Sequence, residues 1–333
     1  ERIDLSGTPE SEDLNKIKSI LSKKAAAPFN LSEGPVFRTT IYKLTDNIHI
    51  LLLVIHGIAA DGWSAGIFFD ELNKLYEYNN SGSYPLLPLD IQYGDFCVWQ
   101  RQQFEEHKFE YQKQFWEKQL DNLPPLIKFP FKTEKRIAGT RSKGRRIPFI
   151  VDADTTKKLH QLVNNNSISP FMLLWGAYAL LLHKYTGETD IVLGTPVANR
   201  TKTELEKLIG FFANTLVMRV NIDTSASVTE YLSLVREISL NALDNQDMPF
   251  DQLIESIDPQ RNASHSPIFR TMFVLQNAPR SSGQNSALKI SSFDIDLNIL
   301  HFDISMIVNE FDENISGFIE VNEDVFNGGY AEQ

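Results

Sequence analysis

The chain has 333 residues, 42% of them hydrophobic, so it can bury a sizeable core and is not an intrinsically disordered polymer. It carries 32 Lys and Arg against 43 Asp and Glu, a formal net charge of -11. That balance argues against a protein that binds nucleic acid or an anionic membrane surface non-specifically, and we expect neither partner. No apolar run reaches the roughly 18 residues needed to span a bilayer.

The first third of the chain predicts a hairpin, a loop and a helix, in that order. Residues 36–44 and 47–56 have strand composition, and the second strand is apolar on both faces, which is typical of a central strand. The helical spacing of WSAGIFFDELNKLYEY predicts a helix with Ser64 as its N-cap. A long polar helix is predicted from Phe96 to Leu120. It contains Cys97, the single cysteine, which we interpret as a small buried hydrophobe in a reducing, cytoplasmic protein.

A Pro-, Lys- and Arg-rich stretch predicts the domain boundary. Residues 131–145 form the expected linker between an N-terminal lobe, 1–130, and a C-terminal lobe, 146–333. The basic run Lys132–Arg146 fits a solvated linker better than a binding patch. In the second lobe strands and helices mix without regular alternation, which favours an α+β fold over a doubly wound sheet, and the chain closes on a predicted antiparallel pair at 301–311 and 315–322.

The stretch VIHGIAADGWS, Val54–Ser64, follows the most apolar strand segment and carries His56 and Asp61. Taken alone, His56 is interpreted as a structural core histidine, and Asp61 as a turn-forming residue. No further residues stand at metal-ligand spacing, and neither a G-x-S-x-G elbow nor a phosphate-binding glycine loop occurs. These absences from the sequence disfavour a metal site, a serine hydrolase and a nucleotide-binding protein.

Five segments read together carry more information than any one of them. They are IHGIAADGWS, YGDFCVWQRQ, IGFFANTLVMR, NQDMPFDQLI and PQRNASHSPIFRTMF, in that order. This series resembles the condensation domain of nonribosomal peptide synthetases, from about Pro28 to the end of the chain. The positions that carry the resemblance outside the first segment are Tyr93, Asp95, Trp99, Gly210, Phe212, Asn214, Arg219, Gln246, Asp247, Pro249, Phe250, Arg261, Ser264 and Pro267.

The resemblance implies a fold and a set of partners. The fold would be two chloramphenicol-acetyltransferase-like lobes in a V around a tunnel, with the N-terminal lobe truncated because the motifs before Pro28 are missing. Residues 195–210 would form a floor loop and residues 277–289 a latch. Donor and acceptor peptidyl carrier proteins would bring substrates on phosphopantetheine, beside an adenylation domain. The domain itself would need no metal and no cofactor of its own.

The motif of the family is His-His-x-x-x-Asp-Gly, and its second His is the residue implied to act as base or to position the amine. Aligned on Asp61 and Gly62, the first His is His56 and the second position is Gly57. His56 would be structural, because neighbouring strand residues face opposite sides and it cannot replace the missing ring. Gly62 would allow a backbone turn that a side chain would block.

The resemblance assigns further site residues. Arg200 is the expected ion-pair partner of Asp61, and Trp63, Ser64 and Asn214 are expected to be structural or to line the tunnel. His265 and Asn262 stand where the family usually has Arg and Asp, which we interpret as surface changes.

Three explanations of Gly57 stay open: natural inactivation, an engineered change, or a slow but real reaction. The function predicted from the sequence is amide bond formation between two carrier-bound thioesters, impaired by Gly57. The alternative is a non-catalytic scaffold of the same fold that docks carrier proteins. The motifs resemble condensation more than epimerisation, and no Asp-rich heterocyclisation motif occurs; the donor is expected to be L-configured.

Overall fold

The computed structural model describes residues 1–8, 13–78, 84–129, 144–257, 268–277, 288–295, 300, 302–309, 314–323 and 325–326. The chain divides into two compact units. Unit 1 consists of Glu1–Trp99, Arg200–Phe212 and Ala278–Leu297, and unit 2 of Gln100–Asn199, Ala213–Asn277 and Asn298–Gln333. The change of unit falls within a helix, and the segment 200–212 belongs to unit 1 although unit 2 precedes and follows it in sequence.

Unit 1 contains a small mixed sheet covered on one face by a helix. The strand order is β1-β2-β3, with β1 parallel and β3 antiparallel to β2. Alternate residues of the hairpin point inward, so Tyr42 and Leu52 pack with Ile17 and Leu21 of the first helix. Its elements are β1 (Arg2–Asp4), α1 (Leu14–Ala25), β2 (Phe37–Lys43), β3 (His49–Ile55), α2 (Gly62–Tyr78), the first part of α3 (Tyr93–Glu105) and a 3₁₀ turn (Thr203–Leu205).

The predicted hairpin is confirmed, but the central position predicted for its second strand is wrong. β3 lies at an end of the described sheet, and of its seven residues only Leu52 is buried. The Thr45 hydroxyl accepts hydrogen bonds from the backbone N–H groups of Asn47 and Ile48, at 3.3 and 3.1 Å, and so closes the turn between the strands.

The predicted helix from Phe96 to Leu120 is two helices. α3 ends at Glu105 and α4 (Glu110–Gln119) begins after a short turn. His107 adopts a φ of 57°, and the Lys108 N–H donates to the Gln103 carbonyl at 3.0 Å, a pattern that ends a helix. The polar periodicity continues through this turn, which is why the sequence pattern showed one helix.

Unit 2 is built on a mixed sheet of strand order β4-β9-β8-β7-β5-β6. The pairs β5–β7 and β7–β8 are parallel, and the other described pairs are antiparallel, including the predicted closing hairpin β8–β9. This α+β arrangement agrees with the predicted fold class. The elements are β4 (Gly144–Val151), α5 (Ala153–Asn166), α6 (Pro170–Thr186), β5 (Asp190–Val197), β6 (Asn214–Asn221), α7 (Val228–Asp244), α8 (Phe250–Ile257), β7 (Thr271–Gln276), β8 (Ile304–Asn309) and β9 (Ile315–Asn322), with α4 also in this unit.

The core of unit 2 is organised by α6, which is apolar around most of its circumference. Ser169 caps its N-terminus, and Gly187, with a φ of 74°, ends it in the left-handed conformation. Trp175 is fully buried, and its indole N–H donates to the Ser239 hydroxyl of α7 at 2.9 Å. Because α6 is buried on the sheet and against α7, it is a core helix.

Some of the expectations fall outside the described residues. These are most of the linker (131–143), most of the latch (278–287), and the motif positions Arg261, Asn262, Ser264, His265 and Pro267. Gly144 and Arg145, assigned to the linker, already belong to β4. The lobe boundaries therefore remain a prediction, and the V arrangement does too.

Candidate functional site: the loop between β3 and α2

The loop connects the end of β3 at Ile55 to the start of α2 at Gly62. At its N-terminal end the His56 N–H donates to the Val36 carbonyl at 2.8 Å, which extends the pairing of β3 with β2 by one residue. The Ala59 N–H donates to the His56 carbonyl at 3.0 Å. Residues 56–59 therefore form a hydrogen-bonded turn with Gly57 at its second position.

Neither glycine of the loop is required by its backbone. Gly57 and Gly62 both have φ outside the left-handed region, and a Cβ added at either would meet no heavy atom within 4 Å. The expectation that a side chain would be blocked at Gly62 is therefore wrong, because Gly62 is an ordinary first residue of α2. At Gly57, the position that the resemblance aligns with the second His of the motif, the backbone and the space can accept a Cβ.

Asp61, and not Ser64, caps α2. The Asp61 Oδ1 accepts hydrogen bonds from the Ser64 backbone N–H at 2.9 Å and from the Ser64 hydroxyl at 2.7 Å. Asp is a strong N-cap residue because its carboxylate satisfies the first free N–H groups of the helix. Ser64 lies inside the helix and is fully buried.

Asp61 forms the predicted ion pair with Arg200. The Arg200 Nη2 lies 3.0 Å from Oδ1 and 3.3 Å from Oδ2 of Asp61, and the two side chains are 1% and 4% exposed. Burial lowers the pKa of Arg200, and the neighbouring Asp61 opposes that shift. The guanidinium stays charged because its ordinary pKa is so high. The pair is buried and bridges positions 139 residues apart in sequence.

The same guanidinium holds the segment that follows Arg200. Its Nη1 donates to the carbonyls of Leu205 and Leu208 at 2.5 and 2.8 Å. Its Cζ lies 4.1 Å from the centroid of the Phe212 ring and 5.7 Å from that of the Trp63 ring. The Trp63 indole N–H donates to the Glu206 carbonyl at 2.9 Å. Arg200 thus connects the start of α2 to the turn at 203–208.

Residues 210–212 complete the surroundings of Asp61. The Phe212 N–H donates to Asp61 Oδ2 at 3.0 Å, and the Gly210 N–H donates to the Ser64 hydroxyl at 3.1 Å. A Cβ at Gly210 would overlap the ring of Tyr93, so this glycine is required by close packing. The Tyr93 hydroxyl donates to the Phe211 carbonyl at 2.9 Å, and burial raises the pKa of Tyr93 to about 12, with smaller contributions from Cys97 and Asp61.

His56 is held at the other end of the loop. Its Nδ1 accepts a hydrogen bond from the Ile58 N–H at 3.2 Å, which requires the tautomer with the proton on Nε2. Its ring meets that of Phe29 edge to face, with centroids 5.9 Å apart. His56 and Asp61 are the only titratable residues from Val54 to Ser64, and both are engaged in contacts within unit 1. The loop is therefore well anchored, and its own side chains include no general base that is not already bonded.

The expected site residues are divided between the two units. Asp61, Gly62, Trp63, Ser64 and Arg200 come together in unit 1. Asn214 lies in unit 2, where its amide donates to the Gln246 and Met248 carbonyls at 2.8 and 2.7 Å and accepts from the Phe250 N–H at 3.0 Å. Its observed contacts are structural ones.

Sequence reasoning missed two features of the site. One is the part played by the backbone of 205–212, which accepts two hydrogen bonds from Arg200 and donates one to Asp61. The other is Phe29, which contacts the ring of His56 but has no signature in the motif itself.

Two negative findings apply to the described part of the chain. Within it, no group of three or more His, Cys, Asp or Glu side chains is placed to hold a metal ion. Among the same residues, no helix combines the length and the apolar character needed to cross a membrane.

Comparison with solved structures defines the fold class. The chain matches the X-domain from teicoplanin biosynthesis with a TM-score of 0.85 and 21% identity, covering 98% of this chain and 74% of that one. It matches the first condensation domain of the CDA synthetase with a TM-score of 0.76 and 17% identity, covering 99% of this chain and 71% of that one. The fold is thus the chloramphenicol-acetyltransferase-like α+β fold of condensation domains.

The condensation-domain family profile matches residues 1–332, and the chain belongs to this family. The match includes the first 27 residues, which the sequence motifs left outside the resemblance. Malpinin synthetase of Mortierella alpina is 35% identical over 98% of this chain, a linear gramicidin synthase protein of Brevibacillus parabrevis 35% over 98%, and bacitracin synthase 3 of Bacillus licheniformis 36% over 92%. The chain spans only 4%, 6% and 5% of the length of these three proteins.

Proposed function

We propose that this chain forms an amide bond between two thioester-bound substrates, as a condensation domain of a nonribosomal peptide synthetase. The observation that carries the proposal is the loop from His56 to Ser64, held at Asp61 by the buried Arg200, in a chain that the family profile matches from residue 1 to 332. A buried ion pair with these additional hydrogen bonds fits a loop that must keep one backbone geometry.

The reaction is an acyl transfer. The amine nitrogen of the acceptor attacks the carbonyl carbon of the donor thioester, a C–N bond forms, and the C–S bond breaks with release of the donor thiol. The amine loses one proton in the process, and the departing thiolate gains one. In the family the second His of the motif serves this proton transfer or orients the amine.

Gly57 removes that contribution and leaves the rest of the loop in place. A Cβ at position 57 would meet no heavy atom within 4 Å, and the backbone there is not left-handed, so the backbone that would carry a base is present. Loss of a general base typically lowers the rate about 10²–10⁴-fold, whereas holding the two reactants in place still accelerates the step. The proposal is therefore a slow condensation domain, for which Gly57 is the cause of the low rate.

The partners follow from the same proposal. Donor and acceptor peptidyl carrier proteins would present their substrates on phosphopantetheine, and an adenylation domain would stand beside the chain. One solved relative is described as a four-domain nonribosomal peptide synthetase bound to AMP and glycine, and the chain covers 26% of it at a TM-score of 0.75. That relative supports the proposal that this chain works within a larger synthetase.

The lobe division and the remaining site roles are part of the proposal as well. The lobes at 1–130 and 146–333 would enclose a tunnel in a V, with 195–210 as its floor loop and 277–289 as its latch. Trp63, Ser64 and Arg200 would support the tunnel wall near residue 57. Asn214 would have a structural role within the second lobe. The contacts of Asn214 with the 246–250 backbone are compatible with that structural role.

The test is amide formation between loaded donor and acceptor carrier proteins, followed by mass spectrometry of the product. The protein is compared with Gly57→His and with Gly94→His, a control change at an exposed glycine that also has open space around it. We expect slow product from the unchanged protein and from Gly94→His, and faster product from Gly57→His.

The outcomes separate the enzyme from the scaffold. If only Gly57→His makes product, the loop is still a condensation site, and the unchanged chain lacks the base at position 57. If folded Gly57→His binds both carrier proteins and yields no amide, the chain is a docking scaffold and the proposed activity is wrong.

A further inference from the structure

A stack of three side chains lies next to the N-terminal end of the loop in unit 1. The Arg38 guanidinium lies over one ring, that of Phe29, at 4.1 Å from its centroid. The edge-to-face contact of Phe29 with His56 places the imidazole at 5.9 Å, centroid to centroid. The order is therefore cation, aromatic ring, imidazole, and all three side chains are partly buried.

Arg38 fixes both the ring and the backbone of Phe29. Its Nη1 donates to the Pro28 carbonyl at 3.1 Å, and its Nη2 donates to the Ala27 carbonyl. The two acceptors directly precede Phe29 in the chain, so the guanidinium that stacks on the ring also holds the peptide groups that carry it. The planar fork of arginine suits this double role, whereas a lysine ammonium would reach fewer acceptors at once.

β2 supplies a second connection to the same histidine. Val36 accepts the hydrogen bond from the His56 N–H, and Arg38 lies opposite Val54 in the β2–β3 ladder. The backbone of His56 is thereby set by β2, and its ring is set by Phe29. With both fixed, His56 Nδ1 accepts the Ile58 N–H across Gly57, and this hydrogen bond adds to the Ala59 N–H bond that closes the turn.

We propose that Phe29 and Arg38 are positioning residues for position 57, acting through the ring of His56. They hold the imidazole in the tautomer and orientation that accept the Ile58 N–H. This sets the backbone conformation of residue 57, and with it the direction of any side chain placed there. The loop then has two anchors, Arg200 at Asp61 and the Arg38–Phe29 pair at His56. The inference rests on the proposed function for its effect on the reaction, but its structural part can be measured without any substrate.

The first experiment is a spectroscopic one on the folded protein. The ¹⁵N shifts of the His56 imidazole are recorded for the unchanged chain, Phe29→Leu, Phe29→Tyr and Arg38→Met. Phe104→Leu and Arg2→Met are matched controls, since Phe104 is 39% exposed and Arg2 is an exposed residue of β1. We expect the Nε2–H tautomer in the unchanged chain, Phe29→Tyr and both controls, and a mixture of tautomers in Phe29→Leu and Arg38→Met.

The second experiment repeats the substitutions in the Gly57→His background and measures amide formation. We expect Phe29→Leu and Arg38→Met to lower kcat about 10-fold or more with little change in KM, because misplacing a catalytic group affects the chemical step more than binding. Phe29→Tyr should restore the rate. A thermal melt of each variant checks that it is folded.

The two readouts separate the possible failures. If the His56 shifts of folded Phe29→Leu and Arg38→Met equal those of the unchanged chain, the positioning role is overturned. If the shifts change but every variant, Gly57→His included, makes no amide, then the proposed function has failed and the positioning of His56 by Phe29 still stands.

Discussion

Asp61 is the residue on which most contacts of the loop converge. Its carboxylate receives the Arg200 guanidinium, the N–H and hydroxyl of Ser64, and the N–H of Phe212. A buried ion pair adds little to stability compared with a packed apolar pair, but removal of one partner leaves the other charge buried without compensation. A substitution of Asp61 alone therefore tests whether the buried Arg200 charge depends on it.

We predict that Asp61→Asn lowers the free energy of unfolding by about 3–5 kcal/mol, because the shape is retained while the Arg200 charge, 1% exposed, loses its counter-ion. Urea denaturation measures this cost. Asp70→Asn is the matched control, since the pair of Asp70 with Lys74 is about half exposed and should matter by less than about 1 kcal/mol. Equal, small effects of the two substitutions would contradict the anchoring role of Asp61.

Tyr93 provides a prediction about alkaline pH. Its folded-state pKa is about 12 because of burial, against an ordinary value near 10. Between these values the unfolded chain loses the phenolic proton while the folded chain keeps it, so this group favours folding fully below pH 10 and progressively less above it.

At neutral pH, Tyr93→Phe should cost about 0.5–1.5 kcal/mol through loss of the hydrogen bond to the Phe211 carbonyl. As the pH rises from 10 towards 12, the difference between the two proteins should shrink, because only the tyrosine form is destabilised by ionisation. Urea unfolding at several alkaline pH values tests this. A difference that stays constant with pH would show that Tyr93 is not perturbed by burial.

At this scale the sequence indicated part of the site. The pairing of Asp61 with Arg200 came from the resemblance, since no local pattern connects residues 139 positions apart. The role expected for Gly62 was wrong because the turn is made by residues 56–59 and not by the glycine. Phe29 was missed because an edge-to-face contact depends on tertiary placement and not on spacing in sequence.

Among the elements, α8 is the one whose position depends most clearly on a single side chain. Asn214, the first residue of β6, bonds three backbone groups just before and at the start of α8. An amide can donate to two carbonyls and accept from one N–H at the same time, which a carboxylate cannot do. The side chain is buried, so water does not substitute for it.

Asn214→Asp should therefore destabilise unit 2 by about 2 kcal/mol or more, because the new carboxylate faces the Gln246 and Met248 carbonyls without a donor. The free energy of unfolding is the measurement, with Asn15→Asp on the exposed side of α1 as the control. If both changes cost the same, the amide of Asn214 does not hold the start of α8.

Helices and strands were predictable where short local sequence patterns determine them. The β2–β3 hairpin was predicted correctly, because the strand composition of both segments is visible in sequence. The end of α3 at Glu105 was not visible, because the left-handed His107 that ends it has no compositional marker. The position of β3 at the end of the described sheet was missed, because strand order depends on tertiary pairing and not on local sequence.

For the molecule as a whole, the family was predictable from the sequence, and the predicted lobe boundaries stay a prediction. Ordered motifs spread over the sequence identified the condensation-domain family, which the profile match over residues 1–332 confirms. The assignment of 200–212 to unit 1, apart from its sequence neighbours, follows from the buried contacts of Arg200 and Phe212, which no boundary signal in the sequence announces.

The measurement that tests the central claim most directly is the single-turnover rate of amide formation by Gly57→His relative to the unchanged protein, with loaded carrier proteins at saturating concentration. Since a Cβ at position 57 would meet no heavy atom within 4 Å and the backbone there is not left-handed, we expect the variant to fold. We predict a rate increase of about 10²–10⁴-fold, the contribution of a general base. Equal rates for the two proteins, with carrier binding confirmed, would contradict the claim that this loop holds the catalytic position.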